Sequence, residues 1–404
     1  MASAWSKSVL VAVSLQLAVA GCSTPERLPA VPVSQISQTS EAFGPIRFLV
    51  SRETDSFAAE ALRAQDREKQ WLASQGQGPD LPPAYFLAVS GGGDNGAYGA
   101  GFLNGWTASG TRPQFKVVTG ISTGALIAPF AFLGPKYDYV LERVYTSTAQ
   151  QDIFKKRGIM SALFGDSMAD TRPLHNVISS YVNRELLDEI AAEYAKGRIL
   201  LVGTTNLDSL EPVIWNMGAI ASRKDPEAVA LFANILLASA SIPGAFPPVM
   251  LDVNLGGTRY QEMHVDGGTV AQLFLYPPSV SAKNAAPRKR VAYILRNARL
   301  DADWASTERR TMTIAMRAID SLTRTQGIGD LYRVYSVTQR DGVDFNLTYI
   351  PATFNVPHNE MFDTAFMKAL YDVGVNAAKS GYNWQKSPPG FDVPITGQTP
   401  SSGH

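Results

Sequence analysis

The chain has 404 residues, enough for one large domain or two ordinary ones. Its 36 basic and 36 acidic side chains cancel, and the Lys and Arg residues are scattered, which argues against a nucleic-acid surface. Four histidines and one cysteine leave no cluster with metal-ligand spacing, so no metal and no cofactor is expected, and a lone Cys22 excludes an intrachain disulfide.

In chain order, Lys7 precedes an apolar run from Val9 to Val19, interrupted only by Ser14 and Gln16. The run is shorter than the ~20 residues a bilayer span needs, and residues 1–21 read as a signal peptide. Val19-Ala20-Gly21-Cys22 resembles the bacterial lipobox, in which the cysteine becomes the acylated (palmitate-type) first residue. Ser23, in place of the aspartate linked with inner-membrane retention, points to an outer-membrane lipoprotein of the bacterial envelope. Residues 22–45, rich in Pro, Ser, Thr and Gln, read as a flexible tether behind the lipid anchor. Residues 46–82 form an N-terminal helical extension, with a surface helix over Asp55 to Ala73. The main domain is expected over 83–386, and the Pro/Gly/Ser/Thr tail from 387 to 404 reads as disordered.

Within the main domain, strands are predicted at Tyr85 to Ser90, Phe115 to Thr119, Arg198 to Thr204, Val213 to Asn216, Tyr260 to Val265, Arg290 to Leu295 and Asp344 to Ile350. Helices are predicted at Gly96 to Ala108, Ser122 to Leu133, Pro226 to Ala240, Ala305 to Thr325 and Asn359 to Ala378. Strands alternating with helices predict a three-layer α/β/α sandwich with a largely parallel central sheet. Ligand sites on such sheets lie at strand ends, and three motifs fall there. Asp152 to Met168 mixes basic and large apolar residues and fits either a lid or ordinary helix packing.

Gly120-Ile121-Ser122-Thr123-Gly124, between a strand and a helix, has the nucleophile-elbow pattern. Gly120 and Gly124 permit so tight a turn, which presents the Ser122 hydroxyl at a helix N-terminus. Gly91-Gly92-Gly93-Asp94-Asn95-Gly96 also matches a dinucleotide fingerprint, but that motif needs an acidic residue about 20 positions on. Between Asp94 and Glu142 the only acidic residue is Asp138, too late and in a helix. The loop suits an oxyanion hole instead, with the N–H groups of Gly91, Gly92 and Gly93 converging on one oxygen.

Ser122 needs a proton acceptor. His175 opens a helix away from the motif strands, and His404 is in the tail. His264 and His358 keep a Ser–His–Asp triad open, with Asp252 or Asp266 as the acid. Asp266, in a turn with Gly267 and Gly268 directly after a strand, could instead approach the serine itself.

Taken together, the glycine loop, the elbow, the small-residue block Ala238-Ser239-Ala240-Ser241-Ile242-Pro243 and the Asp266-Gly267-Gly268 turn resemble the patatin-like phospholipase family, over roughly Pro83 to Ala271. The resemblance implies a Ser122–Asp266 dyad without histidine, a Gly91–Gly93 oxyanion loop backed by Gly96, and metal-free hydrolysis of a lipid or other acyl ester. The family often carries Arg or Lys where this chain has Asn95, which weakens the case for a phospholipid headgroup over other esters. Two other readings follow from the residues: an α/β-hydrolase-type esterase using His264 or His358, and a non-catalytic lipid-binding lipoprotein.

Overall fold

The computed structural model describes residues 25–391 apart from 159–164, 284–285, 302–303 and 305. The expected signal peptide, Cys22, tail residues 392–404 and the middle of the lid-like stretch lie outside the described residues.

Eleven strands are formed among the described residues: β1 (Arg47–Leu49), β2 (Ala84–Val89), β3 (Val117–Ile121), β4 (Lys155–Lys156), β5 (Ala169–Asp170), β6 (Ile199–Asn206), β7 (Glu211–Asn216), β8 (Val249–Leu255), β9 (Thr258–Asp266), β10 (Arg290–Arg296) and β11 (Asp344–Tyr349). The main sheet runs β1-β7-β6-β3-β2-β10-β11. From β6 to β11 all neighbours are parallel, while β1 and β7 are antiparallel at one edge. β9 pairs antiparallel with β6 and carries β8 as a hairpin partner. β4 and β5 form a separate antiparallel pair at the two ends of the lid-like stretch.

Helices α1 (Ile36–Phe43), α2 (Thr54–Ser74), α3 (Gly96–Ala108), α4 (Thr123–Leu133), α5 (Glu227–Ser239), α6 (Thr311–Asp341) and α7 (Thr364–Lys379) are those that bear on the site. Strand alternation explains the three layers. Leu87, Val89, Val118, Leu200 and Val202 face one side and pack with buried residues of α3, α4, α5 and α7. Their neighbours face the other side, where Ala88 and Ile294 meet Leu331 and Val334 of α6, and Ile199 and Leu201 meet Phe57 and Ala64 of α2. With both faces covered, near-continuous apolar strands are required. α3 and α7 touch backbone to backbone: a Cβ on Gly101 would lie 2.0 Å from Tyr371 O, and one on Gly374 would lie 2.3 Å from Tyr98 O.

Three expectations are corrected. Residues 25–45 are not a flexible tether throughout, because α1 and a 3₁₀ turn at Val33–Gln35 occupy them. Val31 and Ile36 are buried, and the Phe43 ring meets Trp215 edge-on at 5.5 Å, so a few well-spaced apolar residues suffice to anchor the segment. Tail residues 387–391 are also packed: the Phe391 ring centroid is 4.5 Å from that of Tyr335, and the Tyr332 hydroxyl donates to Pro389 O. Finally, α6 starts later than predicted and continues past Thr325 to Asp341, since Leu331, Val334 and Val337 extend its buried stripe. Gly342 ends it in the left-handed region (φ 65°). Strands β1, β4, β5 and β8 went unpredicted.

Candidate active site

The sheet register explains how residues 144 positions apart come together. β6 lies between β3 and β9, with Ile121 opposite Gly203 and Thr204 opposite Asp266. Ser122 and Asp266 each follow or end the strand that flanks this shared neighbour. Gly203 is small where Ile121 crowds it, and a Cβ on Gly267 would sit 2.5 Å from Gly203 O.

Ser122 is buried between β3 and α4 with φ 56° and ψ −127°, a conformation that L-residues rarely adopt. The flanking glycines make this possible, since a Cβ on Gly120 would meet Gly124 O at 2.3 Å and one on Gly124 would meet Val89 O at 2.2 Å. The strained turn is braced from α5. The Ser122 N–H donates to Ser239 Oγ (3.0 Å), and that hydroxyl donates to Gly203 O (2.7 Å). Two residues on, Ser241 O accepts the Asp266 N–H (2.9 Å). The small-residue block thus holds both members of the pair, a role its composition alone did not reveal.

Asp266 is 5% exposed. Its Oδ1 accepts the Gly268 N–H at 2.7 Å, and the Ser122 side chain is near enough to its carboxyl to favour the ionised form. Burial pushes its pKa up to about 7, partly opposed by the Ser122 side chain and the Gly268 N–H. A carboxylate poised near neutrality beside a serine hydroxyl is placed to take its proton.

The glycine loop follows β2. Gly91 is corrected as an oxyanion donor: its N–H is spent on Gln272 O at 3.0 Å, which pins the loop. The N–H groups of Gly92 and Gly93 donate to no acceptor among the described residues, and Gly93 lines the same cavity as Ser122. Gly92 (φ 156°) fits so closely that an added Cβ would lie 2.2 Å from Asn297 O. Asn297 ties this backbone down, donating from its own N–H to Ser90 Oγ (2.8 Å) and from Nδ2 to Ser90 O (2.9 Å). Gly96 opens α3, where a Cβ would lie 2.2 Å from Thr123 Oγ1. The cavity at Ser122 is otherwise apolar, walled by Leu126, Phe130, Ile178, Leu236, Phe246 and Phe362.

Neither candidate histidine is hydrogen-bonded to Ser122. His264 is fully buried, with Nδ1 3.0 Å from Thr204 Oγ1 and Nε2 3.1 Å from Glu262 Oε2. Burial lowers its pKa, with Glu262 pulling the other way. Glu262 also receives Arg47 Nη1 at 2.6 Å; against the upward push of burial, His264 and Arg47 hold it at about 2. This is a structural network that ties β9 to β1. His358 Nε2 is 2.7 Å from Asp94 Oδ2, which also accepts the Phe362 N–H at 2.7 Å. Asp94, not singled out from sequence, therefore fastens the 358–362 segment beside the cavity. Asp252 is on β8, where its carboxylate pairs with Arg259 and Gln261. His175 is half-buried on the helix Arg172–Tyr181.

Comparisons with known proteins bear on this arrangement. A search of curated proteins finds no match. Among solved structures, VipD from Legionella pneumophila is similar at TM-score 0.33 and 12% identity, covering 74% of this chain and 67% of its own. Human GIVD cytosolic phospholipase A2 is similar at TM-score 0.30 and 11% identity, covering 68% of this chain and 51% of its own. A chain of the SpcU–ExoU complex from Pseudomonas aeruginosa is similar at TM-score 0.29 and 13% identity, covering 74% and 52%. This chain thus spans about half the length of the latter two. Residues 87–277 match the model of the patatin-like phospholipase family, and that stretch contains the glycine loop, the Ser122 elbow and the Asp266 turn. Residues 87–277 of the chain are thus a patatin-like phospholipase domain.

Proposed function

We propose that the chain hydrolyses a lipid acyl ester with Ser122 as nucleophile and Asp266 as general base. The observation that carries this reading is the register that brings the strained Ser122 turn and the buried, neutral-range Asp266 carboxylate to either side of β6, with Ser122 lining an apolar cavity. Asp266 takes the hydroxyl proton as Ser122 Oγ attacks the ester carbonyl carbon. The tetrahedral oxyanion is met by the N–H groups of Gly92 and Gly93 and by the dipole at the start of α4. Collapse of the intermediate expels the alcohol, which takes the proton from Asp266. Water, deprotonated by the same carboxylate, then releases the fatty acid from Ser122. The apolar walls suit an acyl chain.

Fluorophosphonate labelling of the wild type and of Ser122→Ala, alongside a panel of lipid esters, tests the proposal. A covalent adduct at Ser122 and turnover that vanishes in the alanine variant are expected. An unlabelled Ser122 in folded protein would favour the non-catalytic lipid binder. The envelope anchor belongs to the same proposal and rests on the Val19–Cys22 motif. Cys22→Ser is expected to abolish incorporation of labelled palmitate and release the protein from membranes; unchanged incorporation would refute the anchor.

A further inference from the structure

The face of the sheet turned away from the Ser122 cavity is incompletely filled. Phe86 and Val117 sit opposite each other on β2 and β3, in the middle of the sheet, yet both are only half-buried. The helix that covers them presents small residues there, Ala58 and Ala61 of α2, and leaves a cavity of about 330 Å³. Phe57, Ala61, Phe86, Val117, Ile199 and Leu201 line it. That volume is within the ~300–1,000 Å³ of small-ligand sites. Leu275 and Tyr276 wall the cavity and also line a smaller apolar one, of about 130 Å³, bordered by Ile121, Gly203 and Gly267.

Cations gather where β3 and β10 begin. Lys116, Arg288 and Arg290 line the cavity there against one carboxylate, Glu68. Arg288 clasps Glu68 through Nη1 and Nη2 at 2.7 and 2.9 Å, and Lys116 Nζ lies 2.7 Å from Glu68 Oε2. Burial lowers the Lys116 pKa to about 8 against the pull of Glu68, and Arg288 and Arg67 lower it further. These three groups are spent on one another. Arg290 is not. It donates from Nη2 to Ala286 O at 2.7 Å, while its Nε and Nη1 have no acceptor among the described residues and, unlike Lys116 Nζ, stay accessible. Asp341 also attracts Arg290, but Arg340, Tyr276 and Ser281 already hold that carboxylate. An apolar slot with one uncommitted guanidinium at its edge matches an alkyl chain with one anionic end. Glu68 beside it opposes a second negative charge, which favours a carboxylate head over a doubly charged one.

We propose that this cavity binds a medium-chain fatty acid, with its alkyl chain between α2 and the sheet and its carboxylate on Arg290. The site is separate from the Ser122 cavity, and binding there needs no turnover, so the inference stands independently of the hydrolase reading.

Calorimetry and thermal melting of the full chain carrying Ser122→Ala test it, with decanoate below its micelle-forming concentration and decanol as the uncharged match. Decanoate is expected to bind at least tenfold more tightly than decanol. Adding Arg290→Gln should weaken decanoate at least tenfold and leave decanol within twofold. Ala61→Trp, at an exposed position of α2 on the rim, fills the slot and should weaken both ligands at least tenfold. Equal affinity for acid and alcohol overturns the proposal, as does decanoate that gives neither heat nor a rise in melting temperature. So does decanoate binding that neither substitution shifts by more than twofold, which would place the acid in the cavity at Ser122. Should Arg290→Gln fail to fold, the acid-to-alcohol ratio and Ala61→Trp decide by the same limits.

Discussion

Asp266→Asn separates what the chemistry needs from what the fold would prefer. The Asp266 carboxyl has an ordinary pKa of 3.8 and is pushed by burial to about 7. At ~1.4 kcal/mol per pKa unit, ionising it inside the fold costs up to about 4 kcal/mol. Below pH 4 the carboxyl is protonated in both folded and unfolded chains, and the cost is absent. Between pH 4 and 7 the folded protein keeps a proton that the unfolded chain has lost, so stability falls as pH rises and levels off above 7. Asparagine still offers an oxygen to the Gly268 N–H but never ionises. The variant should therefore match wild type near pH 4 and exceed it at pH 8 by up to ~4 kcal/mol, roughly 5 °C in Tm for a chain of this size. Thermal unfolding at half-unit pH steps measures this. Ester hydrolysis by the same samples should be lost at every pH, while wild-type kcat/KM climbs with pH through about 7 as the base ionises. A stability difference that stays flat across pH, or a wild type more stable at pH 8, would falsify the claim that burial sets this carboxyl.

Histidine replacements discriminate dyad from triad. His358→Ala removes the contact to Asp94 and should leave turnover within about tenfold, whereas a general base would cost ~10⁴ or more. His264→Gln should lower stability by ~1–3 kcal/mol through its broken bonds to Thr204 and Glu262, with activity retained in whatever fraction stays folded; urea titration beside an esterase assay reads both. Ser239→Ala leaves the buried Ser122 N–H and Gly203 O without their partner and should cost ~1–3 kcal/mol, so an unchanged denaturation midpoint would count against the brace. Gly92→Ala drives a Cβ into Asn297 O and should reduce kcat by ~10²–10³ as the loop moves; unaltered turnover would show that Gly92 offers no donor to the oxyanion.

Much of this was legible in the chain because backbone demands leave local marks. A turn that forces Ser122 to φ 56° needs glycine on each side, and such spacing can be read without coordinates. The parallel strands could be found because both faces are covered, leaving runs such as Leu200-Leu201-Val202. What stayed hidden depends on partners distant in sequence. Gly91 looks identical to Gly92 and Gly93 in composition, yet Gln272 O, far along the chain, removes its N–H from the site. Ser239 and Ser241 read merely as small residues, and only the path of α5 beside β6 turns one toward Ser122 and the other toward Asp266. His264 was plausible as a base because it shares a strand face with Asp266, but Thr204 and Glu262 claim both its nitrogens.

The costs at this centre explain why so much of the fold surrounds it. Ser122 holds a backbone conformation worth ~1–3 kcal/mol of strain, and Asp266 is an acid that burial disfavours in its working form. Neither would persist on a mobile loop. Both are instead tied to β6, Ser122 through the pairing of Ile121 with Gly203 and Asp266 through that of its own residue with Thr204. A slip of one residue between β9 and β6 would bring Val265 opposite Thr204 and turn the carboxylate to the other face of the sheet. The Arg47–Glu262–His264 network, which bonds β9 to β1 and to Thr204 from the flank away from Ser122, opposes that slip. If Asp266 is the base as proposed, His264 matters to hydrolysis by keeping the register of the strand that carries it rather than by taking a proton from the serine.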